Sequence, residues 1–319
     1  MDVSRYADHS PYSDPRHHAA LLAAVAPDPA SLHAAVTTAV VHYRAGAAAP
    51  TPAQLEDVDR RWVASILDAV VERAPGPLDA PRSPERQAGG CCRDHSLLAV
   101  AVLREHGAPA RTRLGFADYL GADGFRHDHV VVERHDGARW VRFDPEVAPD
   151  GVPFDPFDLP TGEGAPFETA AEVWTAYRAG RRDLADHGAG PDLPWLTGPG
   201  FVQRYVLADL AHRQRHELLL WDVWGASALP GAAPDPATAA LTDRVAELTV
   251  RADAGDRTAE AALTVLWATD ERVRPGRFVT TWSPTGRLGW TDLVARRTGW
   301  AAVPRDAVVV GGSWLSPAG

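Results

Sequence analysis

The sequence predicts an α+β fold: one buried helix packed on a small antiparallel sheet, with further helices added on both sides. Three stretches carry that expectation. After Gly89-Gly90-Cys91-Cys92-Arg93-Asp94, the residues Leu97, Leu98, Ala101 and Val102 recur at helical spacing, Asp94 falls in the first turn, and Gly107 is placed to stop the helix. Residues 107–116 read as a turn into a strand that ends at Gly115. From 128 to 145, two alternating runs flank Asp136-Gly137, the strongest short hairpin signal a sequence offers.

The remaining elements follow in chain order. Residues 1–18 are polar and Pro-punctuated, as a surface-wrapping segment is. Helices are predicted over 19–25 and 30–42, either side of Pro27-Asp28-Pro29, with Ser31 as a cap of the second. One longer helix is predicted over 52–73, with Thr51 as cap, Pro52 at its first position, and Trp62, Ile66, Ala69 and Val70 on one face. Residues 145–166 are loop-rich and placed to form a substrate wall or lid. Further helices are predicted over 170–179, 201–220, 236–252 and 256–268. Trp221-Asp222-Val223-Trp224-Gly225 reads as a packing corner rather than a substrate box. Phe278 to Trp282 and Val308 to Val310 read as added edge strands, and no repeat of 20–50 residues is present.

The three opening stretches also carry chemistry. A cysteine that opens a buried helix meets free N–H groups and the positive end of the helix dipole, which favour its thiolate. With a two-residue turn at Asp136-Gly137, Val132 faces Val141, Val130 faces Phe143, and His129 faces Asp144. Directly opposed residues share a face with Cβ atoms about 4.5–5.5 Å apart, so turn geometry alone brings imidazole and carboxylate together. The four apolar partners lie on the other face and hold the register, because a one-residue slip would send them outward. A thiol at a helix start and a carboxylate-oriented imidazole form the Cys-His-Asp arrangement of covalent acyl transfer. The N–H of Cys92 is the natural oxyanion donor, and Gln87 is a second candidate on position alone.

These residues resemble a known family. Gly90-Cys91-Cys92-Arg93-Asp94, Gly107-Ala108-Pro109-Ala110-Arg111, Gly115-Phe116, Tyr119, Asp128-His129, Glu133, Trp140 and Asp144 are similar to the core motifs of the transglutaminase-like superfamily, more narrowly of a bacterial branch. The resemblance implies a transglutaminase-like or papain-like cysteine-nucleophile core, with Cys92 as nucleophile, His129 as base and Asp144 as its orienter. It extends weakly from about Tyr6 to about Ser283. This gives a domain over 1–285, its catalytic core at about 85–148, followed by a C-terminal extension over 286–319. Departures from the pattern are Cys91 for asparagine, Val130 for tryptophan, Pro145-Glu146 after Asp144, and Ala208 where arginine is usual. The activity implied is amide-bond formation or exchange through an acyl-thioester. Hydrolysis by the same triad and a scaffold role without turnover stand as alternatives. The partners implied are an acyl donor (amide, ester or thioester) and, for a transferase, an amine acceptor.

Composition bounds the rest. The 319 residues suffice for one large domain or two small ones, and 45% hydrophobic content with 11 tryptophans supports a sizeable core. All 32 basic residues are arginine, which rules out a Schiff-base lysine or a lysine cross-link within the chain. A net charge of -10 argues against nucleic acid or anionic membrane as partner. No signal-like start and no apolar stretch near the roughly 20 residues of a membrane span are present, so a cytoplasmic protein is expected. Two adjacent cysteines make neither a disulfide framework nor a zinc-finger site, and a vicinal disulfide would be strained. His9, His17, His18, His33 and His42 show no ligand-like grouping and default to solvent. His127 and His129 flank Asp128 without a third ligand, so no metal or other cofactor is expected.

Overall fold

The computed structural model describes residues 3–46, 48–121, 124–227, 231 and 236–301; the run at Val308 to Val310 lies outside them. The first half of the chain builds a cradle for one helix. Helices α1 (Ala19–Ala23) and α2 (Pro29–Ala39) precede strand β1 (Val40–His42), and α3 (Pro52–Asp57) and α4 (Val63–Arg73) precede strand β2 (Ala88–Gly90). Strands β1 and β2 pair in parallel and deliver the chain to α5 (Cys92–Glu105).

Two of these helices differ from expectation, each for a physical reason. The α2 pattern ends at Ala39 because the β-branched Val40-Val41 pairs with Ala88 and Gly89 instead of continuing the helix. Its cap is Asp28, whose carboxylate accepts from the Ser31 N–H at 3.0 Å, so Ser31 is capped rather than capping. The segment 52–73 is two helices, not one. Thr51 and Gln54 form the capping box of the first, but the chain leaves helical geometry before Arg61, which turns inward. The Arg61 guanidinium bonds both oxygens of Asp222, at 2.7 and 3.0 Å, with neither side chain exposed.

The main sheet follows α5: β3 (Ala110–Ala117), β4 (Arg126–His135), β5 (Trp140–Phe143) and β6 (Phe167–Thr169), in the order β5-β4-β3-β6, all antiparallel. Gly115 does not end β3. It sits within the strand where β6 crosses so closely that a Cβ would lie 2.0 Å from the Glu168 carbonyl oxygen. Helix α6 (Ala170–Arg178), the short strand β7 (His187–Gly188) beside the start of β4, and α7 (Gly198–Arg213) complete this layer. The chain then makes β8 (Asp222–Val223), α8 (Pro236–Asp253), α9 (Arg257–Thr269), β9 (Phe278–Trp282), β10 (Leu288–Asp292) and β11 (Arg297–Trp300). Helix α7 stops at Arg213, short of the predicted 220. The second sheet runs β11-β10-β9-β8, so Phe278 to Trp282 forms an inner strand rather than an edge. The Arg61–Asp222 pair bolts this sheet to the core. No helix among the described residues is long and apolar enough to cross a membrane.

Removing one member of a buried pair strands the other charge, a loss of about 3–5 kcal/mol. Arg61→Met is therefore expected to destabilise the protein by that amount in urea unfolding, with Asp222 left uncompensated. A cost under about 1 kcal/mol would show that the pair does not anchor the second sheet.

Candidate active site

The hairpin does not have a two-residue turn. His135 pairs with Trp140 and Val132 with Phe143, so residues 136–139 form a four-residue loop in which the Asp136 carboxylate accepts from the N–H groups of Ala138 and Arg139. The register is displaced by two from the expected one. Because side chains alternate with period two, a shift of two preserves the facing of every residue. His129 and Asp144 thus remain on one face, and Nε2 of His129 lies 2.7 Å from Oδ2 of Asp144. Val130, Val132 and Phe143 point to the α5 side as expected. The opposite face is also buried: Val131 packs with Ala117, Leu159 and Phe167.

Asp144 is fully buried and held on both oxygens. Oδ1 accepts from the Glu146 N–H at 2.9 Å, and Oδ2 accepts from the Tyr119 hydroxyl at 2.8 Å as well as facing the imidazole. Burial, reinforced by Asp144, keeps the Tyr119 hydroxyl protonated and donating. With Nε2 committed to Asp144, Nδ1 is the His129 nitrogen left for chemistry. Burial pulls the His129 pKa down, but the carboxylates of Asp144, Glu146 and Asp128 outweigh it, and the net direction is up.

Cys92 occupies the first position of α5 and Cys91 its N-cap, with Asp94 Oδ2 accepting from the Cys91 N–H at 2.9 Å. At that position the Cys92 N–H has no intrahelical acceptor and is free for an oxyanion. The environment of the thiol works against the expected lowering of its pKa. A hydrogen bond with the Cys91 side chain, burial, and the nearby acids Glu146 and Asp128 together push the Cys92 pKa up, in opposition to the helix dipole.

Cys91, Cys92 and His129 line one cavity of about 500 Å³. One wall is apolar, with Leu193, Trp195, Leu196, Phe201, Leu220 and Trp221. Trp221 therefore faces the cavity, while its Nε1 donates to Asp59 at 2.9 Å. Trp224 packs away, so the Trp-rich segment is a corner with one ring turned to the site. The polar side carries Asp128, which accepts from the Tyr205 hydroxyl, and Glu146 and His42. His42 Nδ1 accepts from the N–H groups of Arg44 and Ala45 at 3.1 Å each, and burial pushes its pKa down to about 4, so this ring stays neutral. Gln87 takes no part: its amide donates to the carbonyls of Thr37 and Thr38. Of the 145–166 loop, only Glu146 lines the cavity, and Phe154 and Leu159 pack on the outer sheet face rather than forming a lid.

Sequence reasoning missed Tyr205 and the His42–Glu146–His95 group. Glu146 was visible only as a departure from a motif, and His95 looked like one more position on a buried helix. The default of solvent exposure also fails for several histidines. His9 lies 3.1 Å from Glu105, His33 bonds the Pro145 carbonyl, and His42 lines the cavity.

This is an arrangement of helix-start cysteine and sheet-borne histidine, and the family comparison agrees with it. Residues 44–145 match the family described as the transglutaminase-like superfamily, and this part of the chain is a transglutaminase-like domain. No curated protein matches the chain. A solved structure named a "Putative Cysteine Protease" from Cytophaga hutchinsonii is 19% identical, covering 46% of this chain at a TM-score of 0.30. The chain spans 42% of that protein's length, and so partial a likeness carries no functional weight.

His95 gives a stability signature. Its Nδ1 lies 3.5 Å from Glu146 Oε2, an ion-pair distance too long for a strong hydrogen bond, and its Nε2 meets the Val40 carbonyl at 3.0 Å. Burial opposes the charged ring, yet Glu146 prevails and the His95 pKa is pushed up to about 9. Conversely, despite burial, His95 holds Glu146 well below the carboxylate range. A group whose folded pKa is raised contributes stability in full below its unfolded value, about 6.5, and loses it as pH rises through the folded value. Melting temperature is therefore expected to fall between about pH 6.5 and pH 9, and Glu146→Gln should flatten that slope. An unchanged slope in the variant would dismiss the pair as its source.

Proposed function

We propose that the protein is a cysteine-nucleophile acyltransferase that forms or exchanges an amide bond through an acyl-thioester, with Cys92 as nucleophile, His129 as acid–base group and Asp144 as its orienter. The observation that supports it is the His129–Asp144 contact, closed by Tyr119, on the cavity that the helix-start cysteine also lines. In this reading the catalytic core lies at about 85–148, within the proposed domain over 1–285.

His129 Nδ1 takes the Cys92 proton as the sulfur attacks the acyl carbon of an amide, ester or thioester. A C–S bond forms, and the oxyanion lies beside the Cys92 N–H. Collapse expels the leaving group, which takes the proton from His129. An amine then attacks the thioester, gives its proton to His129, and releases the amide and the thiol. The apolar wall supports an amine rather than water as acceptor, because it keeps the thioester in a water-poor space.

The proton inventory sets the pH dependence. Both the imidazole and the thiol have raised pKa values, so the reactive form, one proton short of fully protonated, appears only as pH rises. The acid limb of kcat/KM is expected above about 6.5, the ordinary imidazole value. Asp144→Asn should lower kcat by about 10²–10⁴-fold through the wrong tautomer and shift that limb downward, with a smaller effect on melting. Equal losses of activity and stability would make Asp144 a structural carboxylate.

Intact-mass trapping with acyl thioester probes tests the intermediate: wild-type protein gains the acyl group at Cys92, and Cys92→Ser does not, whereas Cys91→Ser still does. Added hydroxylamine or a primary amine should then divert product from acid to amide. Acid alone at saturating amine would establish hydrolysis. Absence of any acyl adduct, at pH values on both sides of the acid limb, would leave a scaffold.

A further inference from the structure

Sequence reading leaves His17 and His18 to solvent; His17 is exposed as expected, and His18 is not. His18 is buried, at 8% exposure, and both imidazoles converge on one carboxylate of α4. His17 Nε2 lies 3.3 Å and His18 Nε2 2.8 Å from the same oxygen, Oδ1 of Asp68. The three donor atoms all fall within 4.8 Å of one another. The two ring centroids lie 3.9 Å apart, with the ring planes tilted by 40°. They sit on a single turn, Arg16–His18, entered through Arg16 at φ 51°. That left-handed conformation costs a non-glycine residue about 1–2 kcal/mol, so the turn is held against its local preference.

A hydrogen bond accounts for only half of this. His18 bonds Asp68 with good geometry, while His17 approaches the same oxygen at ion-pair distance. One carboxylate oxygen can accept from both rings, but two imidazole lone pairs and a carboxylate are equally a ready set of cation ligands. Zinc bonds of about 2.0–2.1 Å place tetrahedral donors roughly 3.3 Å apart, close to the observed separations from Asp68 of 2.8 and 3.3 Å. The fourth position would go to water, because the His17 and Asp68 side chains are 68% and 51% exposed and leave the site open on that side.

We propose that His17, His18 and Asp68 form a site for a divalent cation of the zinc class, clipping the N-terminal turn to α4. None of the three lines the cavity, so the site is independent of the acyl chemistry. It closes the cradle around α5 from outside, because α4 packs against α5.

The test uses the full, reduced, metal-free chain titrated with zinc by calorimetry, and with cobalt for its absorption spectrum. One saturable equivalent is expected, with a rise in melting temperature and no sulfur-to-cobalt charge-transfer band. His17→Ala and Asp68→Asn, both at exposed side chains and so compatible with folding, should each weaken binding at least about tenfold, since loss of even an outer-shell partner costs roughly 10–100-fold. No saturable binding at millimolar zinc, an equivalent that survives both substitutions, or a sulfur band assigning the metal to the cysteine pair would each overturn the site.

Discussion

A helix with no face in water is the constraint around which this chain is arranged. Thirteen of the 14 residues of α5 are buried, including Arg93, Asp94, His95, Ser96 and Arg104. Each polar group must then find its partner inside the protein, since an unmet one costs about 1–3 kcal/mol or more. The partners come from nearly every segment that surrounds the helix. Arg93 donates to the carbonyls of Arg61 and Glu217 and to Asp94, and Arg104 to Glu217, Ser13 and the carbonyl of Ala110. Ser96 reaches the Val130 carbonyl and His95 the Val40 carbonyl. The long helical additions on both sides of the core thus have a physical role. They meet most of the polar inventory of the helix whose first residue is the candidate nucleophile, leaving Arg93 Nε and His95 Nδ1 without a hydrogen bond, and so hold Cys92 in place.

A second buried network holds the other side of the sheet. Glu133 receives Arg111, Arg113 and Arg142, and Arg113 continues to Asp209 on α7 and Asp253 on α8. From Asp253 it passes to Arg213 and on to Glu260 of α9. Arg113 has no exposed surface, and its fork contacts three carboxylates at once, a geometry that a lysine ammonium cannot reproduce. Such networks contribute little net stability against an apolar replacement, but a misdocked helix would leave charges unpaired in the interior. They therefore select one packing of α7, α8 and α9 on β3 and β4. The absence of lysine, readable at once, fits an interior wired by guanidinium groups, although composition alone did not say where they would be.

What the sequence showed and what it hid divide along the range of the interaction. Local signals were sufficient for α5, for the Thr51 cap, for the presence of the helices after 169 though not for the end of α7, and for the facing of His129 and Asp144. They failed where a distant partner overrode them. Val40-Val41 became a strand because β2 was there to pair with it, and the 52–73 helix broke so that Arg61 meets Asp222, 161 residues away. The hairpin is the instructive case. The turn type was misjudged, and the register moved by two, yet the imidazole and carboxylate still met because parity, not register, decides the face. Tyr119 could be noted only as a motif position, because its bond to Asp144 spans a loop that no periodicity describes.

Two opposed fields meet at the Cys92 sulfur. The open N–H groups at the start of α5 favour a negative charge there, and the carboxylates of Glu146 and Asp128 disfavour it. The same carboxylates favour a proton on His129. His129 lines the same cavity as the sulfur, and an imidazolium there would favour a thiolate, so the acids act on the sulfur charge in two directions. Glu146 is the pivot of this balance because His95 and His42 both face it. The charge on His95 decides how much of the Glu146 field reaches the sulfur, and the neutral His42 adds no screening cation. A helix position three residues after Cys92, which looks like ordinary core in the sequence, thereby bears on the acidity of that thiol through a carboxylate delivered from the far side of the hairpin.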